Sequence, residues 1–249
     1  SDVYKRQELP LVGMILGSIS AVLLPVFSGM DKGDGMSNET LVVWNSALLK
    51  SAKLIFPMLI FSVFFAEPIM TCMYGDIYAQ SSIYFVIKNL SGLFYIIPFY
   101  PIILAIGKTN SYANAHMIAA FMIVIAEYVV CKTFDSAVYV AITSELCNLV
   151  KIWLLLRVIA NYAHMKITEL LPPKPMTILI MISALASLPP FLLLDFLNMN
   201  KFIVLFVCLG FFLVDYYVLC WICKVTYRDI AGGFLKNKSR LNAVVKILP

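Results

Sequence analysis

The sequence predicts an all-α membrane protein, a polytopic bundle of about seven transmembrane helices. Three observations carry that expectation. Of 249 residues, 61% are hydrophobic and 13% charged, and the mean hydropathy is +0.90, values outside the range of soluble domains. The apolar residues fall into blocks near the ~20 residues that a helix rising ~1.5 Å per residue needs to cross a ~30 Å hydrocarbon core. Stretches such as "FIVLFVCLGFFLV" do not alternate in polarity as the strands of a membrane barrel do.

The chain begins "SDVYKRQ", and "VYKRQ" resembles a translated sequencing-adaptor remnant. Residues 1–7 are therefore set aside as non-native sequence. No basic segment followed by a short apolar stretch and a cleavage site marks a signal peptide. From there, spans are expected at Leu9 to Ser28, Leu54 to Met73, Ile83 to Ile106, Tyr112 to Val130, Ala137 to Ile159, Met176 to Leu194 and Phe202 to Cys223. Between the first two, "DKGDGMSNETLVVWNSALLKSAK" reads as a Gly-rich turn, then Ser37 or Asn38 as a helix cap. The following residues, with Leu41, Val42, Trp44, Leu48 and Leu49, form either an interfacial helix or an extension of the second span. Prolines 25, 57, 98, 101, 189 and 190 stand in or at the ends of spans, and "YIIPFYPIILAIGK" is the stretch most prone to kink.

Basic residues orient the bundle, because short cytoplasmic loops collect Lys and Arg. Assigning the loops alternately puts Lys32, Lys50, Lys53, Lys108, Arg157, Lys166, Lys174, Lys224, Arg228, Lys236, Lys238, Arg240 and Lys246 on one side. The other side holds Lys132 and Lys201 with Glu67, Asp76, Asp135 and Asp195. The first helix then runs from outside to inside, and the basic tail 224–249 is cytoplasmic. An odd number of spans with an outside start implies further spans upstream, so the chain is expected to be a fragment. The net charge of +5 is spread over span ends rather than clustered with aromatics, which argues against nucleic acid as a partner.

Charged groups inside a span cost about 2.5–3.5 kcal/mol each on insertion scales, so each needs a partner, a wet cavity or a function. The candidates are Lys88, Glu127, Glu145, Lys151 and Asp215, with Asn148 beside them. Lys88 and Glu127 lie at similar depth if their helices form an antiparallel hairpin, and either pair or snorkel outward. Glu145, Asn148 and Lys151 recur every third residue and share an arc of ~120° at ~100° per residue. That face is either an interhelical contact or the wall of a hydrophilic cavity. Asp215 is expected to be buried against a neighbouring helix, with Tyr216 and Tyr217 as hydrogen-bond partners. The six cysteines are scattered through spans, and Cys220 and Cys223 of "CWIC" lack the second pair a metal site needs. With only His116 and His164, both expected to be solvated, and no HExxH, no catalytic or metal-ligating set is expected, and no cofactor.

Four landmarks stand in order: "LPLVGMILGSISAVLLPVFS" before a Gly-Asp loop, "FAEPIMTCMYGDIY", "ILAIGKTN" and "AITSELCNL". Together they resemble the C-terminal half of a polysaccharide or oligosaccharide flippase of the multidrug/oligosaccharidyl-lipid/polysaccharide exporter superfamily. Ala66, Glu67 and Pro68 with Tyr74 and Gly75 resemble its helix end and aromatic-Gly turn, Gly107 and Lys108 its basic turn, and Ser144 and Glu145 its later Ser-Glu pair. The resemblance implies a bundle core over 8–160, two further helices over 161–223 and a basic tail over 224–249. It also implies a two-bundle transporter that flips lipid-linked saccharides by alternating access, with a missing N-terminal bundle as partner. Within that picture, Lys151 attracts a diphosphate or sugar headgroup and Glu145 couples a proton or sodium ion. The resemblance further implies a bacterial inner membrane as the bilayer. The rival within the superfamily is a cation-coupled drug or metabolite exporter; a membrane enzyme of glycan assembly is the rival outside it.

Overall fold

The computed structural model describes residues 10–29, 36–194 and 200–227, and every regular element among them is helical. The expected remnant at 1–7, most of the Gly-Asp loop, Asp195 and the tail beyond 227 lie outside the described residues. The first helix, α1 (Pro10–Ser28), runs through Pro25. Helix α2 (Asn38–Phe64) starts where Ser37 caps it, the Thr40 N–H donating to Ser37 Oγ at 3.2 Å. It continues unbroken past Pro57, so the segment from Leu41 is an extension of the second span rather than a separate interfacial helix. After a break at Phe65 the chain resumes as α3 (Ala66–Tyr74), which ends at Gly75 with φ of 94°. Only glycine adopts that backbone without strain.

A 3-10 turn (Asp76–Ser81) leads into α4 (Ser82–Gly92), and then the third expected span breaks. Leu93 to Ile97 form tight turns, and Pro98, which has no N–H to continue a helix, caps the short α5 (Phe99–Ala105). Irregular backbone at membrane depth is tolerated only where protein covers it or a cavity faces it. Here Ile96 is fully buried and Ile97 nearly so. The remaining elements are α6 (Thr109–Thr133), α7 (Ala137–Ala163), the single turn α8 (Ile167–Leu170), α9 (Pro173–Leu193) and α10 (Lys201–Ile222).

Five of these helices, α2, α6, α7, α9 and α10, are long and apolar enough to cross a membrane, and α1 contributes a shorter apolar stretch, Val12–Ser28. This is an all-α membrane-helix bundle, with the third expected crossing made of two half-helices. Helix α2 is its centre: 56% of its most apolar window is buried, against 11% for α6. It packs on α1, α4 and α9, while α6 pairs with α7, and α10 pairs with α9. Trp44, Leu48, Ile55 and Phe56 of α2 anchor one core cluster with Ile152, Leu155 and Ile159 of α7. Phe61, Phe65, Met70 and Phe85 anchor a second with Phe212 and Tyr216 of α10.

Two contacts show which helix ends lie together. Trp44 Nε1 donates to the Leu170 carbonyl at 2.9 Å, tying the start of α2 to the turn between α7 and α9. At the opposite end Lys201 of α10 pairs with Asp76. After α10 the chain folds back: Tyr227 Oη donates to the Lys53 carbonyl at 3.0 Å, and the Tyr216 and Tyr227 hydroxyls lie 2.5 Å apart.

Candidate functional site

The break in the third span sets the geometry of the polar groups. Lys88, Ser91 and Tyr95 are spaced three and four residues apart, so the helix and its tight continuation turn all three toward α7. Glu145 of α7, only 4% exposed, meets them there. Its Oε1 accepts from Lys88 Nζ at 3.1 Å and its Oε2 from Ser91 Oγ at 2.6 Å. Both ends of the carboxylate are thus held by α4.

Nearly two turns further along α7, the Lys151 ammonium donates to Asn148 Oδ1 at 3.1 Å. It also faces the Tyr95 ring, 5.8 Å from the centroid, and Lys88 approaches the same ring at 5.8 Å. Two cations therefore share one aromatic ring. Glu145 offsets the first. Among the described residues no carboxylate lies within ion-pair distance of the second.

Two cavities meet at Tyr95, each of about 200 Å³. The first holds Lys88 and Asn89 against Val12, Gly13 and Leu16 of α1. The second holds Lys151, Tyr112 and His116 against Leu16 and Ser20 of α1. The half-helix break thus lines a partly polar space roofed by α1.

Four of the six sequence candidates, Lys88, Glu145, Asn148 and Lys151, come together here. Of the two readings open for Lys88 and Glu127, pairing or snorkelling outward, pairing is not found: Lys88 bonds Glu145. Helix α6 packs on α7 rather than on α4, so α7 stands between Lys88 and Glu127. Glu127 instead lies within electrostatic reach of Cys147. Asp215 stands apart on α10, half-buried, and the Tyr216 hydroxyl turns to Tyr227 rather than to it. On the α7 face, Glu145 makes a helix contact and Lys151 lines a cavity within the bundle.

Sequence reasoning passed over Ser91, Tyr95 and His116. The first two were readable, since they continue the face of Lys88. His116, expected to be solvated beside a turn, is exposed and also lines the Lys151 cavity, its ring 4.5 Å from that of Tyr112. All six cysteines are free thiols.

No protein-family model matches the chain, and no curated protein does. Among solved structures it is similar to the lipid II flippase MurJ in an inward closed conformation, with a TM-score of 0.62 and 18% identity over 88% of this chain and 44% of that one. The chain thus spans less than half the length of that protein. At this identity the likeness establishes the fold alone: a polytopic membrane-helix bundle like part of that larger multi-helix protein.

Proposed function

We propose that the chain forms one bundle of a membrane transporter that flips lipid-linked oligosaccharide or polysaccharide repeat units by alternating access. The observation that carries this reading is the Lys88–Tyr95–Lys151 cluster at a discontinuous helix, in a fold similar to that of a lipid II flippase. Bilayer energetics give the rationale. A lipid tail stays in hydrocarbon while its charged, sugar-bearing head needs a polar route, and broken helices at cavities are where membrane transporters place such routes. Lys151 supplies positive charge for a diphosphate linkage, and Glu145 is the group that couples translocation to an ion. Such transport requires no covalent step, so the chain is read as a transporter rather than an enzyme.

Alternating access needs a second bundle to close the cavity, encoded upstream in the same frame or supplied by another chain. The charge asymmetry of the loops supports a cytoplasmic C-terminus, and the bacterial inner membrane is proposed from the family resemblance alone. The test is a flipping assay in proteoliposomes with a short-chain polyprenyl diphosphate saccharide, using the protein encoded by the full reading frame. Flipping that falls at least tenfold in Lys151→Ala supports the proposal. Transport of a soluble amphiphilic cation with no flipping overturns it in favour of a drug or metabolite exporter.

A further inference from the structure

Resting on that reading, we infer that the cavity beside Lys151 is a subsite for one sugar ring, the saccharide unit bonded directly to the diphosphate. The cavity holds about 200 Å³, below the roughly 300–1,000 Å³ of pockets that take drug-sized ligands. That is room for a single pyranose rather than for a chain of them. Four elements supply its polar lining: Tyr100 comes from α5, Tyr112 and His116 from α6, Lys151 from α7 and Ser20 from α1.

The lining selects the ligand class. A sugar carries C–H patches on its faces and hydroxyls around its rim, so a site for one needs aromatic surface and uncommitted hydrogen-bonding groups together. Both are present. The Tyr100 and Tyr112 rings lie 6.0 Å apart and the Tyr112 and His116 rings 4.5 Å apart, which makes a continuous aromatic wall. Among the described residues, the hydroxyls of Tyr100, Tyr112 and Ser20 and the imidazole of His116 take no hydrogen-bond partner. Phenol and alcohol hydroxyls both donate and accept, as sugar hydroxyls do, so the two sets match. A hydrocarbon tail in the same space would leave all four groups unsatisfied.

Depth orders these groups. Helices α6 and α7 pair with their chain directions opposed, so the start of α6 lies beside the end of α7. Tyr112 is in the first turn of α6 and His116 one turn deeper, while Lys151 is about 18 Å in from the end of α7 at ~1.5 Å per residue. The cation is therefore at the inner end of the cavity, and the aromatic wall leads from it toward the end of the bundle. A diphosphate held at Lys151 sends its first sugar along that wall, toward water and away from hydrocarbon. Later sugars of the glycan fall beyond the cavity. The geometry thus makes the first sugar the unit that is recognised, whatever follows it.

The probes are farnesyl diphosphate alone and farnesyl diphosphate carrying one glucose, galactose or N-acetylglucosamine, together with the best of these extended by a second sugar. Equilibrium binding to the full reading-frame protein in nanodiscs, with empty nanodiscs as the blank, is measured for wild type, Tyr100→Phe, Tyr112→Phe and the double variant. In the wild type, which needs no substitution to fold, at least one single-sugar ligand is expected to bind about tenfold tighter than the bare diphosphate, and the second sugar to add less than about twofold. Each Tyr→Phe keeps the ring and removes one hydroxyl, so the ratio of sugar-bearing to bare affinity is expected to fall about fivefold for the ligand that gains. Equal binding of bare and sugar-bearing ligands by the wild type overturns the sugar subsite and leaves the transporter reading standing. A ratio undiminished in the double variant places the sugar elsewhere and overturns it too. A further tenfold gain from the second sugar overturns the limit of one ring. Failure of the wild type to bind any of the diphosphates removes the functional reading along with the subsite.

Discussion

Lys88 and Glu145 join two helices across 3.1 Å, with side chains only 16% and 6% exposed. A pair so enclosed has lost most of its hydration, so breaking one member leaves a buried charge without compensation. Glu145→Ala or Lys88→Ala is therefore expected to destabilise the bundle by about 3–5 kcal/mol. The double replacement Lys88→Met with Glu145→Leu is expected to recover most of that loss, since an apolar pair of similar volume avoids the desolvation cost. Reversible unfolding in mixed micelles checks both. A double variant as unstable as the singles would mean that the helices are held by something other than this pair.

The three tryptophans divide sharply by environment. Trp44 is fully buried and bonded to the Leu170 carbonyl, whereas Trp153 and Trp221 are 47% and 68% exposed on the apolar periphery. In vesicles of brominated lipid, the emission of Trp153 and Trp221 is expected to be strongly quenched and that of Trp44 largely spared. Replacing the two peripheral residues together, Trp153→Phe with Trp221→Phe, isolates Trp44 and makes the comparison direct. Trp44→Phe keeps the ring packing but orphans the buried carbonyl, at a cost of about 1–3 kcal/mol in the same unfolding assay.

The segments this experiment contrasts were largely readable beforehand, because apolar length alone locates a spanning helix. Pro98 and Pro101 likewise marked the weak point of the third span. Side-chain pairing was less readable. The assumption that sequential helices pack as neighbours made Glu127 one possible partner for Lys88, but α4 and α6 each pack on α7. The composition of α1 gave no hint that Gly13, Leu16 and Ser20 roof the two cavities; that depends on which way α1 turns, and a weakly amphipathic helix does not declare it.

Gly92 marks a close approach of α4 to α2. A Cβ there meets Leu59 Cδ1 at 3.2 Å, tighter than ordinary contact. Gly92→Ala gains helix propensity of about 1 kcal/mol and loses a similar amount to crowding, so it is expected to be nearly neutral. Gly92→Val adds branching against the same methyl groups and is expected to cost about 2–3 kcal/mol. Adding Leu59→Ala to the Gly92→Val variant vacates the contact, and the combined loss is expected to fall short of the sum of the two singles by at least about 1 kcal/mol. Strict additivity in unfolding measurements would place the strain elsewhere.

Asp76 and Lys201 pair at one end of the bundle, and Trp44 and Leu170 meet at the other. The two ends are expected to face opposite sides of the membrane, and the proposal from loop charge is that the Trp44 end is the cytoplasmic one. In a background with the native cysteines replaced by serine, Ile77→Cys and His164→Cys test this directly. Ile77 is 92% exposed in the turn after α3, and His164 is an exposed residue with φ of 53° at the end of α7. An impermeant maleimide added to intact cells is expected to label the Ile77→Cys variant and not the His164→Cys variant, and the pattern is expected to invert in inside-out vesicles. Labelling of both positions from one side would break the alternation of helices on which the whole arrangement depends. The reverse pattern in cells would keep the fold and flip its orientation, placing the basic loops outside against the charge rule.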